Sequence, residues 1–316
     1  MTLKGDRAIH IVISGACRLV GLFGLAVLPV MAVADDQSFS ASTTLGFGRA
    51  GQLMDEDGTM RVSFENAPHL YSTALVENKL PDGAKLTYGA DLEVTGNKTA
   101  HGVSGRQAGL SVTYQQKFGE DNAWQYRVIG NVDRSHSEGS WDYHRERVGV
   151  QLQYRHSPKV MSTAMVRFGY REQNEDRLAG FDQFEYLAQL THMVRPNKDR
   201  FAISGTVYAE ARRADLERFS YDEFGLRLMI RVPLSEQTEV TARSTVYNRA
   251  YLDAFSSSDP TTREDDRVKA VLEVDHTLNE KYSLAAFVGW DENVSTIAER
   301  AHGDATVGFS VTYNWR

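Results

Sequence analysis

Arginine and lysine recur in this chain at even spacings inside otherwise apolar stretches: Arg145-x-Arg147, Arg167-x-x-x-Arg171, Arg227-x-x-x-Arg231 and Arg267-x-Lys269. Even spacing puts such side chains on one face of an extended strand and the intervening residues on the other. Arg127, Arg212 and Arg243 hold the same polar positions in neighbouring segments, as do Lys85, Lys117, Arg155 and Arg249. Cations gathered on the inner wall of a pore focus a positive potential and favour anions. The candidate pore-lining set is therefore Arg127, Arg147, Arg167, Arg212, Arg227, Arg231, Arg243, Arg267 and Lys269. The same face carries acids, among them Asp91, Asp133, Glu185, Glu210, Glu223 and Asp291. Pairing between neighbouring strands is the competing use of these arginines, and it solvates a wall without making it selective.

Other reactive residue types are few. His156, His192 and His276 fall on apolar faces near short connections, none with a serine placed to act as its nucleophile, and they are read as interfacial residues. His136-Ser137 and His144 lie in or beside a segment, 135–142, read as a long polar loop. No Gly-x-Ser-x-Gly elbow and no His-Glu-x-x-His pair occurs, so the chain is expected not to be an enzyme. The acids of Ser256–Asp266 are of a type that holds calcium or bridges to lipopolysaccharide through a cation, but a charge run in a loop is ordinarily only solvated. No metal or cofactor is assigned. The net charge of −7 offers no basic footprint for nucleic acid.

The elements that carry these residues are strands. From about residue 84 onward apolar and polar residues alternate with period two. Val307, Phe309, Val311, Tyr313 and Trp315 stand against Thr306, Gly308, Ser310, Thr312 and Asn314. Tyr282, Leu284, Ala286, Val288 and Trp290 form a matching face one segment earlier. Short connections near Gly119–Asn122, Ser157–Lys159, Pro196–Lys198, Leu234–Glu236 and Asn279-Glu280 alternate with longer polar ones. Aromatic residues gather near both ends: Phe118, Trp124, Tyr126 and Tyr154 by the short turns, and Phe168, Tyr170, Phe184 and Tyr221 by the long loops.

Strands of about ten residues with unequal connections are the pattern of a transmembrane antiparallel up-and-down β-barrel. Closure is the physical reason, because lipid leaves no partner for an unpaired backbone N–H or C=O. The fold class is all-β. Twelve strands follow residue 84, and Phe39–Phe47 with Leu70–Leu80 adds a hairpin, for about fourteen strands with twelve as the alternative. Residues 49–69 are left open between a long first loop and part of a strand. An even count leaves both barrel ends in the periplasm.

Residues 1–34 read as a secretory signal peptide, with Lys4, Arg7 and Arg18 preceding an apolar run and Ala32-Val33-Ala34 as the small-x-small cleavage pattern. Residues 35–316 are then the barrel. Losing the leader removes three bases and one acid and takes the net charge from −7 to −9. It also removes Cys17, the only cysteine, so disulfides, thiolate metal sites and cysteine nucleophiles are excluded.

The last segment, Gly308-Phe309-Ser310-Val311-Thr312-Tyr313-Asn314-Trp315, resembles the terminal β-signal of bacterial outer-membrane β-barrels, with Arg316 following where the aromatic is ordinarily last. That resemblance implies a porin-like barrel recognised by the barrel-insertion machinery. A narrower resemblance, to the C-terminal barrel of surface lipoprotein assembly modifiers, rests on Asp266-Arg267 and on Glu292-Asn293-Val294-Ser295. The functional expectation is a passive channel in the outer membrane, in contact with lipid and lipopolysaccharide, for small anionic or sugar-acid solutes. The alternatives are an export or assembly barrel for a polysaccharide or lipoprotein, served by a periplasmic partner, and a structural or adhesive barrel acting through its loops.

Overall fold

The structure, a computed structural model, describes residues 37–54, 60–96, 103–137, 140–196 and 201–315. The expected leader lies outside the described residues. Fourteen strands follow one another: β1 Gln37–Met54, β2 Met60–Lys79, β3 Lys85–Gly96, β4 Val103–Phe118, β5 Trp124–Ser137, β6 Ser140–Ser157 and β7 Val160–Gln173. The second half comprises β8 Gln183–Val194, β9 Ala202–Ala214, β10 Tyr221–Pro233, β11 Thr238–Ala254, β12 Thr262–Thr277, β13 Tyr282–Ser295 and β14 His302–Trp315. Every strand pairs antiparallel with its sequence neighbours, and β14 returns to β1, so the sheet closes. Among the described residues this is the fourteen-strand count, not the twelve.

The alternation decides which face meets lipid. Leu110, Val166, Phe224 and Val307 are 62%, 59%, 65% and 66% exposed, although each is apolar and lies within a strand. On the other parity Asp133, Arg147, Glu185 and Arg243 are buried. A soluble protein has the reverse order, whereas a barrel in hydrocarbon must have this one. The chain is an outer-membrane β-barrel, apolar without and polar within.

The closing seam uses the segment that resembles the β-signal. Ala41 through Phe47 pair with Trp315 back to Phe309. Hydroxyls tie it further: Thr44 Oγ1 lies 2.7 Å from Thr312 Oγ1, and Trp315 Nε1 donates to Thr43 Oγ1 at 3.1 Å. The Leu80–Gly83 turn forms as its residues require. Gly83 has φ +79°, its N–H donates to Leu80 O at 2.9 Å, and Asp82 Oδ1 accepts from Ala84 N at 3.0 Å. A type I turn closed by a left-handed glycine gives the hairpin its twist.

At residues 49–69, open between a long loop and part of a strand, the strand alternative holds, since β1 runs to Met54 and β2 starts at Met60. One expectation about connections is corrected. The segment 135–142 is not a long loop: Ser137 pairs with Ser140, and His136 and His144 are strand residues. Polar composition misled here because strand ends that rise beyond the hydrocarbon meet water and have no need of an apolar face.

Small inner-wall residues make room for large neighbours. Gly225 pairs with Tyr208 on β9, and a Cβ there would lie 2.6 Å from the Tyr208 ring. That ring places its hydroxyl 2.7 Å from Glu223 Oε1 as donor. Gly225→Val is expected to displace Tyr208 and cost about 1–3 kcal/mol by overpacking. Urea unfolding in detergent micelles measures it, and an unchanged midpoint would contradict the packing.

Candidate functional site

The inner wall between β5 and β13 holds a connected polar array. Direct pairing puts Arg147, Gly169, Glu185 and Arg212 in one row across β6 to β9. The row beside it sets Arg167, Leu187, Glu210, Glu223 and Arg249 side by side on β7 to β11. Asp133 accepts from two guanidiniums, Arg145 Nε at 3.1 Å and Arg147 Nη2 at 3.1 Å. Arg212 donates to Glu210 at 2.7 Å and lies 3.7 Å from Glu185. Arg249 Nε donates to Glu223 Oε2 at 2.8 Å. Arg267 makes a fork to Asp291, at 2.7 and 2.6 Å, and Lys269 stands 3.7 Å from the same carboxylate.

The remaining predicted wall residues are placed as follows. Arg127 donates to Gln115 at 2.8 Å and Gln151 at 3.3 Å. Arg167 is buried on β7, with Gly149 and Leu187 as cross-strand neighbours. Arg227 donates to Gln189 at 3.1 Å and stacks 3.7 Å above the Tyr208 ring. Arg231 pairs with Glu239 at 3.1 Å and Arg243 with Glu273 at 3.0 Å. All nine are on the inner parity of their strands. Arg155, by contrast, leans to the mouth and donates to the backbone oxygen of Asp121 at 2.6 Å.

Tyrosines were not foreseen in this wall. Tyr143, Tyr208, Tyr221 and Tyr247 share the inner parity, and Arg171, Arg227 and Arg249 lie 3.9, 3.7 and 4.2 Å over Tyr143, Tyr208 and Tyr221. Tyr247 Oη accepts from Arg267 Nη1 at 3.2 Å. A guanidinium on a ring face gains cation–π attraction while keeping its edge for hydrogen bonds. Tyr221, expected in the outer aromatic belt, is 5% exposed and faces inward. Its odd position on β10, in step with Glu223 and Arg227, was the signal. The belt itself forms from Phe118, Trp124, Tyr126 and Tyr154 at the short-turn end and from Phe168, Tyr170 and Phe184 at the other.

The charges do not cancel locally. From β5 to β13 the inner parity carries fourteen bases: Arg127, Arg145, Arg147, Arg155, Arg167, Arg171, Arg212, Arg227, Arg231, Arg243, Arg249, Arg263, Arg267 and Lys269. Against these stand nine acids: Asp133, Glu185, Glu210, Glu223, Glu239, Asp265, Glu273, Asp275 and Asp291. Asp133 and Asp291 are each shared by two bases. Pairing is thus extensive and still leaves positive charge in excess. Asp91 and Glu93 lie apart, on β3.

The loop acids are otherwise occupied. Asp265 pairs with Arg263 at 2.6 Å on the inner face, and Asp266 accepts from Asn248 at 3.0 Å on the outer. Asp259 accepts from Thr261, side chain and backbone, which holds its carboxyl below the usual range. Among the described residues no group of three or more metal-binding acids, histidines or cysteines forms.

No sequence-family profile and no curated protein matches the chain. Solved structures align to it at low identity. OmpT, an outer membrane protein of Vibrio cholerae, is 10% identical over 90% of this chain and 99% of its own, with a TM-score of 0.47. An anion-selective porin from Comamonas acidovorans is 11% identical over 88% and 100%, with a TM-score of 0.44. CdiB from Acinetobacter baumannii is 10% identical over 89% of this chain and 60% of its own, with a TM-score of 0.48.

Proposed function

We propose that this outer-membrane barrel is a passive channel whose inner wall favours small anionic solutes, sugar acids among them. The surplus of bases over acids on the β5–β13 wall supports the reading. Arginines held by carboxylates and tyrosine rings cannot swing away, so the potential they create is fixed in place. A solute carboxylate then meets donors already oriented, including the outer edges of stacked guanidiniums. The wall's charge pattern bears on rate and selectivity of passage and needs no bond to be made or broken.

Conductance across a planar bilayer tests it. The refolded barrel should conduct alone, and its reversal potential in a salt gradient should show anion preference. Arg227→Glu, Arg231→Glu and Arg243→Glu together should abolish or reverse that preference, because all three face inward on the adjacent strands β10 and β11. A folded barrel that stays silent, or one whose selectivity ignores the triple change, would defeat the proposal.

A further inference from the structure

The outer face carries a polar cluster that the wall does not explain. Ser162 on β7 stands between two histidines from the flanking strands, His156 on β6 and His192 on β8. Its hydroxyl oxygen lies 2.9 Å from His156 Nε2 and 3.0 Å from His192 Nδ1. The two histidines are exposed and Ser162 is half-buried between them. This corrects the expectation that no serine meets these histidines: β7 joins residues far apart in sequence, Ser162 pairing directly with His192.

We propose that His156, His192 and Ser162 form a binding site for a borderline divalent cation of the Cu²⁺, Zn²⁺ or Ni²⁺ class. Both imidazole nitrogens are directed at the Ser162 hydroxyl oxygen, and the ring centroids are 6.0 Å apart. An ion about 2.0–2.1 Å from each of two imidazole nitrogens sets their rings roughly 5–6 Å apart, so small side-chain rotations suffice. Imidazole suits these metals, and the hydroxyl oxygen lies where a third donor belongs. The sheet holds the geometry, because β7 fixes the spacing of β6 and β8. On one side Tyr154 packs edge-on against His156 at 4.7 Å, and Trp124 packs on Tyr154 at 4.5 Å. On the other, His192 pairs with Gly205, where an added Cβ would touch only Leu228 at 3.7 Å, leaving space for water ligands. His276 is the internal contrast. It bonds a hydroxyl too, Thr238 Oγ1 at 2.9 Å, and lacks a second imidazole.

An untagged, refolded barrel in detergent, titrated with Cu²⁺ and followed by electron paramagnetic resonance and calorimetry, provides the test. One ion per barrel with two nitrogen ligands is expected. His156→Ala and His192→Ala should each weaken binding by about tenfold or more, since each breaks a two-point chelate; His276→Ala should leave it unchanged. Zn²⁺ should raise the unfolding temperature of the wild type and not of His156→Ala. These substitutions lie on the outer surface, and heat-modifiable gel migration verifies each barrel. A spectrum with one nitrogen, affinity indifferent to both substitutions, or no binding above the double-alanine background would overturn the site. Conductance is a separate readout that none of these outcomes touches.

Discussion

Val166→Arg is expected to lower barrel stability by about 2–4 kcal/mol, the cost of a charged side chain facing lipid near the bilayer midplane. Val166 sits in the middle of β7, is 59% exposed, and pairs with Val150 and Ala188 on an outer face without a polar partner. Its arginine would have to reach half the membrane thickness to find water. Thr113→Arg on β4 is the control, since Thr113 pairs with Thr87 and Ile129 on the inner face. Equilibrium urea unfolding in liposomes reads both. Equal losses for the two variants would mean that the faces are reversed or that the barrel does not span lipid as described.

Asp133→Asn is expected to cost about 3 kcal/mol, because it leaves two buried guanidiniums without their shared carboxylate. Arg145 and Arg147 are both within 3.1 Å of that group, and all three side chains are under a tenth exposed. Their attraction to Asp133 offsets the desolvation each has undergone, and a neutral amide offsets little of it. Adding Arg147→Met to Asp133→Asn should recover part of the loss, a non-additivity that separates unpaired charge from simple mispacking. The same change should raise anion preference, since it removes one of the acids that offset the bases on this wall. Urea midpoints that add linearly, with selectivity unmoved, would argue that the charge surplus is not felt in the lumen.

Much of the fold was legible along the chain. Val307 to Trp315 announces a lipid-facing row because period-two alternation is a local property, set by the pleat of a single strand. The nine bases chosen as wall residues all lie on the inner face for the same reason. Legibility failed where the alternation lost its cause. At 135–142 polar residues on both faces of the strands look like loop, and at 49–69 the same mixture leaves loop and strand undecided. Tyr221 was misplaced because an aromatic near a strand end suits a belt as well as a wall, and only the parity of β10 separates the two.

What the sequence determined by itself is the kind of protein and which residues face lipid or lumen, because those follow from spacing within one segment. What the tertiary structure decided is partnership. Asp133 serving both Arg145 and Arg147, the guanidiniums stacked on Tyr208 and Tyr221, and Ser162 held between His156 and His192 all depend on register between strands. Register is cooperative: a one-residue slip would turn every side chain of a strand to the wrong medium. It is therefore fixed by the closed sheet as a whole and is not written in any single strand.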